Sequence, residues 1–506
     1  MSIMGIDMGT TGCKAGVFSA GGDCIAHAYR EYHILHKQAG WSELDSKEVM
    51  ARAKDVIRET ALASRKKDPV KALSISSMGE AMTPVSRDGK ILGNSILSSD
   101  VRGEDLLTKT LKGIDQSSFY QINPNILGAN YSLPKLLWIK KHEPDLYRRA
   151  DYFLLWADMI AFMLGCEPVT SYSLANRTLL FDINREDWSD KLLSLSGIDR
   201  AMLPRPRPSG TVIGTISSKA AKDFGLNKGT AVVLGGHDQC CNAIGAGAIE
   251  AGTAVCGIGS YECITPVYDH IPDQDYMLKC GLNVEHHLVA GRYVSFLYNQ
   301  AGLLVKWFRD TFAAADRRLC KKNENIYRKL TSEMPEGPSR LLVLPCFDIT
   351  GPPEYIANAS GVIAGLKTNT QRGEILKAIM ECETFYFCDS LKALEKIGVK
   401  VHKLMATGGG AQSDQWLQIK ADILGIPIIR PVTTEASLLG AAILAGVATK
   451  IINGFSEGIR LFVRGDRDFE PNRKHGVIYQ ERLEMYRKLF PTMRSFLADW
   501  SRITGE

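Results

Sequence analysis

The chain opens on short apolar blocks separated by glycine-rich turns, with Ile3 to Ile6 ending at Asp7, a Gly9-Thr10-Thr11-Gly12 turn, and a second block running from Cys13 to Phe18. A third block follows the Gly21-Gly22-Asp23 reversal, so the pattern predicts a three-stranded meander from Ile3 to about Ile34. Met50, Ala53, Val56 and Ile57 then recur at helical spacing, and Ala72 to Ser76 reads as a short buried strand. Arg87-Asp88-Gly89-Lys90 is a hairpin signal, whereas Pro204, Pro206 and Pro208 before Gly210 predict an irregular surface stretch. Helices and strands alternate behind a leading meander, which predicts an α/β or α+β fold with mixed sheets.

The second half repeats the opening in residue type. Ala231 to Leu234 forms an apolar strand that ends at Gly235-Gly236-His237-Asp238-Gln239, and a new strand begins soon after at Gly252. That strand meets its own small-residue turn at Gly257-Ile258-Gly259-Ser260, followed by Cys263 to Val267. A second domain on the plan of the first is therefore expected to begin near Ala248, giving segments 1–247 and 248–506. Further on, Lys403 to Thr407 predicts a strand, Gly408-Gly409-Gly410 a turn, and Trp416, Leu417, Ala421 and Leu424 one face of a helix. The segment from Glu435 to Gly446 reads as a helix of small residues whose Gly440, Ala441 and Ala442 would let it pack closely beneath the triple-glycine turn, or serve core packing alone.

Composition narrows the possibilities. At 506 residues, 45% hydrophobic and 23% charged, the chain can bury a large core and has the length of about two to four domains. Its net charge of +5 is dispersed, which argues against nucleic acid or a polybasic membrane contact as partner. The twelve cysteines show no CxxC spacing, and the Cys240-Cys241 pair suits burial, so reduced thiols and a cytoplasmic location are expected. No leader pattern opens the sequence, and no apolar run reaches the length of a membrane span.

The chemistry suggested by the turns is phosphate binding. Gly9 and Gly12 allow a turn with exposed backbone N–H groups, Thr10 and Thr11 add hydroxyls, and Lys14 adds charge. Asp7, at the strand tip, is suited to a hydrated Mg²⁺ beside those phosphates. An ordinary glycine-turned hairpin is the competing reading of the same residues. Two such hairpins facing across a cleft would clamp a nucleotide, and backbone at the 408–410 turn could approach its base or phosphates.

Taken in order, these motifs resemble the FGGY family of carbohydrate kinases over essentially the whole chain. The Asp7 to Lys14 loop, the Gly89 hairpin, Asp100-Val101-Arg102 and the Gly235 to Gln239 strand end follow the family's sequence. Ser132 to Trp138 fits most of the first family signature, with Asn130 a departure, and Gly361 to Leu366 with Glu374 to Glu381 fits the second. The resemblance implies an α/β fold of two actin-like (ribonuclease-H-like) domains with mixed sheets around a central cleft, and ATP with Mg²⁺ as cofactors. It implies Asp238 as general base on a sugar hydroxyl, with Asp7 and Asp238 toward the metal. Gly9, Thr10, Thr11 and Lys14 would surround the transferred phosphoryl, Gly257, Gly259 and Ser260 the β-phosphate side, and Gly408, Gly409 and Gly410 the nucleotide. Glu80, Asp100, Asp238 and Gln239 are the expected sugar contacts.

Each assignment has a plainer competitor. Asp238 could cap a helix over 242–247, Asp100 could form a surface salt bridge with Arg102, and Glu80 could be a solvated turn residue. His237 is given no role. Xylulose kinases of the family carry Gln-Met-His where this chain has Met78-Gly79-Glu80, and glycerol kinases carry Arg-Glu nearby. A carboxylate here accepts sugar hydroxyls and repels an anion, so a neutral ketopentose or polyol is expected as the small-molecule partner. A glycerol or tetritol kinase is the alternative within the family, and a non-catalytic nucleotide-binding sensor the alternative outside it. A homodimer is compatible with this reading.

Overall fold

In the computed structural model the described residues are 1–321, 324–347, 350–356, 360–433 and 435–504. The leading meander forms as expected, with β1 (Ser2–Met8), β2 (Gly12–Ser19) and β3 (Cys24–Glu31) paired antiparallel in sequence order. Helix α1 (Ser46–Ser64) starts where the Asp45 carboxylate accepts from the Lys47 and Glu48 N–H groups. Its Val49, Met50, Ala53, Val56 and Ile57 are all buried, the face that the helical spacing marked out. β4 (Val70–Ser77) then pairs parallel with β1, β6 (Ala231–His237) pairs parallel with β4, and β5 (Val212–Thr215) closes the edge antiparallel to β6. The six-stranded order is β5-β6-β4-β1-β2-β3. Arg205–Arg207, within the stretch expected to be irregular, pairs in parallel with Val169–Ser171.

Helix α2 (Asp238–Ala246) follows β6 directly. The second sheet then repeats the arrangement of the first. Its hairpin is β7 (Thr253–Ile258) and β8 (Tyr261–Tyr268), with β9 (Glu285–His286), β10 (Tyr293–Val294) and β11 (Leu297–Gln300) continuing beyond β8. After the long helix α3 (Arg372–Lys396), β12 (Lys403–Thr407) pairs parallel with β7. Helix α4 (Asp414–Leu424) leads to β13 (Ile428–Pro431), parallel to β12, and helix α5 (Ala436–Ala448) precedes the antiparallel edge strand β14 (Gly465–Phe469). Each sheet thus has an antiparallel hairpin, two parallel neighbours and an antiparallel edge. The residue-type echo noted in the sequence corresponds to a repeated topology.

The sheets have separate cores, and a third core joins them around α2 and α5. There the two helices touch through backbone: a Cβ on Gly245 would lie 1.8 Å from the Ala436 carbonyl oxygen, and one on Gly440 would lie 1.9 Å from that of Cys241. Gly5 of β1 is equally tight, with its Cβ position 2.1 Å from the Leu438 carbonyl oxygen. The small residues of α5 therefore serve its approach to α2 and to the first sheet, not a fit beneath the 408–410 turn. A helix from the second half of the chain roofs the sheet of the first half, and strand ends from both sheets face one cleft.

Candidate active site

The cleft holds a cavity of about 380 Å³ lined by Asp7 and Lys14 from the first hairpin, Gly257 and Gly259 from the second, Gly408 from β12's end, and Arg177, His237, Gln239 and Glu435. Asp7 ends β1 opposite Lys14, and the Ser76 hydroxyl donates to its carboxylate at 2.8 Å. Burial holds the Asp7 pKa above the usual carboxylate range, with Ser76 and Lys14 opposing. The Gly9 N–H bonds the Gly12 carbonyl at 3.0 Å, while Thr10 and Thr11 are exposed at the tip. Lys14 bonds the carboxylate of Glu435, which stands at the N-cap position of α5, so this ion pair crosses the cleft. Burial works against the Lys14 ammonium, but Glu435 and Asp7 hold its pKa raised.

Asp238 is the first residue of α2, and His237 occupies the N-cap. The helix therefore begins at 238, not near 242, and the capping role considered for Asp238 falls away. The Asp238 side chain is partly buried, 29% exposed, between His237 and Gln239, which both line the cavity. Its pKa is pushed up to about 8, first by burial and then by the charges of Asp7 and Glu80, with Arg177 opposing. His237 stacks on Phe296 at 5.0 Å and is kept neutral by burial and by Arg177. Among the described residues, Gln239 Oε1 is buried without a hydrogen-bond partner, and His237 Nδ1 has only the Asp238 carboxylate, 3.4 Å away and making no hydrogen bond; both residues line the cavity. Such orphaned atoms are costly unless a ligand satisfies them.

Glu80 is not a solvated turn residue. It is buried at φ +63°, its carboxylate accepts from Arg177 Nε at 2.6 Å, and its carbonyl accepts from the Ser132 hydroxyl at 2.7 Å. Arg177 also donates to Glu285 Oε1 at 2.9 Å and to Asn125 Oδ1 at 3.3 Å, and stacks over Tyr131. Arg177 and Glu285 were missed in the sequence, where nothing near Asn176-Arg177-Thr178 marks a site. They meet Glu80 only because the chain folds residues about a hundred positions apart onto one wall.

Asp100 is not brought to the cleft. Its side chain is fully buried, and its two oxygens accept from Ser42 N–H at 2.7 Å, Arg102 N–H at 2.8 Å and the Arg102 guanidinium at 2.7 to 3.1 Å. Those donors use its lone pairs, leaving none for a sugar hydroxyl. The Arg102 pairing considered for it does occur, but in the interior, with the guanidinium 3.9 Å over Trp41 and 4.7 Å from the Trp138 ring.

A second cavity, of about 770 Å³, meets the first at Gly259. Ile258 to Ser260, Leu376 and Met380 of α3, and Gly409, Gly410 and Trp416 form its walls. Gly408 turns at φ +83° against the Ile258 carbonyl, where a Cβ would approach to 2.6 Å, and Gly409 faces open space. Ser413 accepts from the Trp416 N–H at the start of α4, with Asp414 in its first turn, and the backbone of exposed Gly409 and half-buried Gly410 faces the cavity. The hairpin carbonyls of Gly259 and Ser260 accept from the N–H groups of Ala301, Gly302 and Leu303, a buttress with no sequence signal.

Two phosphate-type hairpins, a cleft carboxylate and an adjoining cavity are the apparatus of a phosphoryl-transfer enzyme. Models of the FGGY family of carbohydrate kinases match residues 2–245 with the family's N-terminal domain and 287–449 with its C-terminal domain. The chain belongs to this family. Its members use ATP to phosphorylate sugars, and this protein is an ATP-dependent carbohydrate kinase. Among its relatives, xylulose kinase of Bacillus subtilis (strain 168) is 27% identical over 491 residues, covering 96% of each chain. Autoinducer-2 kinase of Yersinia pestis bv. Antiqua (strain Angola) is 28% identical, over 94% of this chain and 92% of that one. In structure, xylulose kinase from Rhodospirillum rubrum superposes with a TM-score of 0.88 at 24% identity, covering 98% of this chain and all of the other. Among the described residues, no helix is long and apolar enough to cross a membrane.

Proposed function

We propose that this FGGY kinase transfers the γ-phosphoryl group of ATP to a hydroxyl of a neutral ketopentose, with xylulose the first candidate, and that Asp238 is the general base. The observation that carries this reading is Asp238 itself, a partly exposed carboxylate whose pKa is raised to about 8, set between two residues of the cavity wall and near enough to Asp7 of the first hairpin to be raised by its charge. In its ionised form such a group is well matched to take a proton from an alcohol as that oxygen attacks phosphorus. Gln239 Oε1, free of protein partners among the described residues, is placed to accept from a neighbouring sugar hydroxyl. Glu80, Arg177 and Glu285 would form the polar wall behind the sugar, and two carboxylates against one guanidinium disfavour an anionic substrate. The curated relatives named xylulose kinase support the ketopentose, at identities that leave room for other neutral sugars.

Gly9, Thr10, Thr11 and Lys14 would meet the transferred phosphoryl, Gly257, Gly259 and Ser260 the β-phosphate, and Gly408, Gly409 and Gly410 the rest of the nucleotide in the larger cavity. Lys14 must leave Glu435 to make that contact. For Mg²⁺ the residues fit: the Asp7 carboxylate lines the cleft, and Asp238 lies near enough for the Asp7 charge to raise its pKa, so two carboxylates flank the place a cation would take. Mg²⁺ keeps several waters and takes phosphate oxygens as ligands, so one or two carboxylates suffice to hold it. Bound there, Mg²⁺ would neutralise phosphate charge. The functional halves divide at 247/248, between the end of the first sheet at His237 and the start of the second at Thr253. Twelve free thiols, Cys13, Cys240 and Cys256 among those buried, support a cytoplasmic setting.

The deciding experiment is coupled ADP release over pentuloses, hexuloses, polyols and aldonates. Turnover greatest with a pentulose supports the reading. Preference for an aldonate would overturn the charge argument, and ATP hydrolysis indifferent to every sugar would favour a nucleotide sensor.

A further inference from the structure

The second hairpin carries a charge that never reaches the cleft. Glu262, in β8 immediately beyond the turn, is fully buried, and Lys420 Nζ lies 2.6 Å from its Oε2. The same ammonium lies 2.8 Å from Glu383 Oε2 and 3.3 Å from the Thr384 hydroxyl, with all three charged side chains 0% exposed. Cys256 of β7 donates to Glu262 Oε1 at 3.1 Å. Burial works against the Lys420 ammonium, but the two carboxylates keep its pKa raised, while burial and the Glu262 charge push Glu383 well above the usual carboxylate range.

Its members come from three of the elements that line the 770 Å³ cavity. Glu262 belongs to the hairpin that supplies Gly259 and Ser260, Glu383 to α3, which supplies Leu376 and Met380, and Lys420 to α4, which supplies Trp416. Lys420 Nζ also lies 5.5 Å from the centre of the Trp416 ring. Hydrophobic packing alone would hold these elements together, but it lacks direction, and a one-ångström slide of the hairpin against α3 would cost it little. An ammonium held between two carboxylates fixes direction and distance.

We propose that Lys420 is a positioning residue for the nucleotide: bridging Glu262 and Glu383, it fixes the second phosphate hairpin against α3 and α4 in the register that ATP requires. This rests on the reading of the larger cavity as the nucleotide site.

The test measures ATP affinity by calorimetry, together with KM for ATP and for sugar, in Lys420→Met and in the apolar triple variant Glu262→Leu/Lys420→Met/Glu383→Leu. Apolar replacement of a buried ionic triad is often neutral or stabilising, so the triple variant separates folding from positioning. The expected result is a triple variant of parental thermal stability whose ATP affinity and ATP KM are about tenfold worse, with the sugar KM within about twofold, the scale on which supporting contacts act. Parental ATP affinity in the folded triple variant overturns the proposal, because the walls then need only filling. Should Lys420→Met alone fail to fold, the triple variant decides. Gly409→Trp, at a position with open space, tests the underlying reading: if it leaves ATP affinity unchanged, the nucleotide lies elsewhere and the proposal falls with that reading.

Discussion

The two hairpins share a backbone plan and place their charges on opposite sides. In the first, Asp7 and Lys14 flank the turn and face the cleft, partly exposed, Asp7 bonded to Ser76 of the adjacent strand and Lys14 to Glu435 at the start of α5. In the second, Glu262 flanks the turn and points into the interior, sealed against Lys420. The difference follows from strand alternation, since neighbouring residues of a strand face opposite sides. On the proposed reading, the first hairpin's charges serve the chemistry, where a group must be able to change partners, and the second's hold the hairpin still.

The sharpest way to break this comparison is at Asp238, the carboxylate that Asp7 faces. Asp238→Asn keeps the shape and removes the proposed base, and sugar-dependent turnover is expected to fall about 10²- to 10⁴-fold while ATP affinity and folding persist. Near-parental turnover in the folded variant would remove the chemical role from the first hairpin's side of the cleft. Asp7→Asn is expected to act next most strongly, raising the Mg²⁺ concentration needed for half-maximal rate by about 10- to 100-fold, the range for groups that orient a metal's ligands. Equal activity at limiting Mg²⁺ would make Asp7 a structural residue like Glu262.

Lys14→Met sharpens the contrast with Lys420. Breaking a partly exposed pair costs at most about 1 kcal/mol of stability, whereas removing one partner of a buried pair costs about 3–5 kcal/mol. Chemical denaturation should therefore separate the two lysine variants widely, and kcat should fall in Lys14→Met despite its stability. Equal destabilisation would erase the distinction.

The smallest effect is in pH dependence. Asp238 titrates near the ordinary carboxylate value when unfolded and at about 8 when folded, so between those values the folded state binds more protons. Its contribution to stability is then greatest in acid and declines as pH rises through about 8. Asp238→Asn should accordingly gain in melting temperature relative to the parent between pH 5 and pH 8.5, in steps of roughly a degree or two. A parallel offset at every pH would place the Asp238 carboxyl in a more hydrated setting. The kcat/KM for sugar in the parent should rise toward the same pKa, because only the ionised carboxylate accepts a proton.

By itself the sequence determined what is local. Apolar alternation and glycine turns set both hairpins, helical spacing set the buried face of α1, and the glycines before His237-Asp238 set a strand end that opens toward the cleft. The ordered motifs carried the family, and with it the chemistry expected of Asp238. What only the tertiary structure decided is the surroundings of each charge. Asp100 and Glu80 are both carboxylates near glycine or arginine in the sequence, yet four N–H donors enclose the first, and the second joins an arginine 97 residues away. Lys420 carries no signal in the sequence, and its burial depends on carboxylates brought in from β8 and α3. Local patterns are fixed by steric and hydrogen-bond preferences within a few residues. The partner that makes a buried charge tolerable is chosen by packing between elements, and no spacing along the chain encodes it.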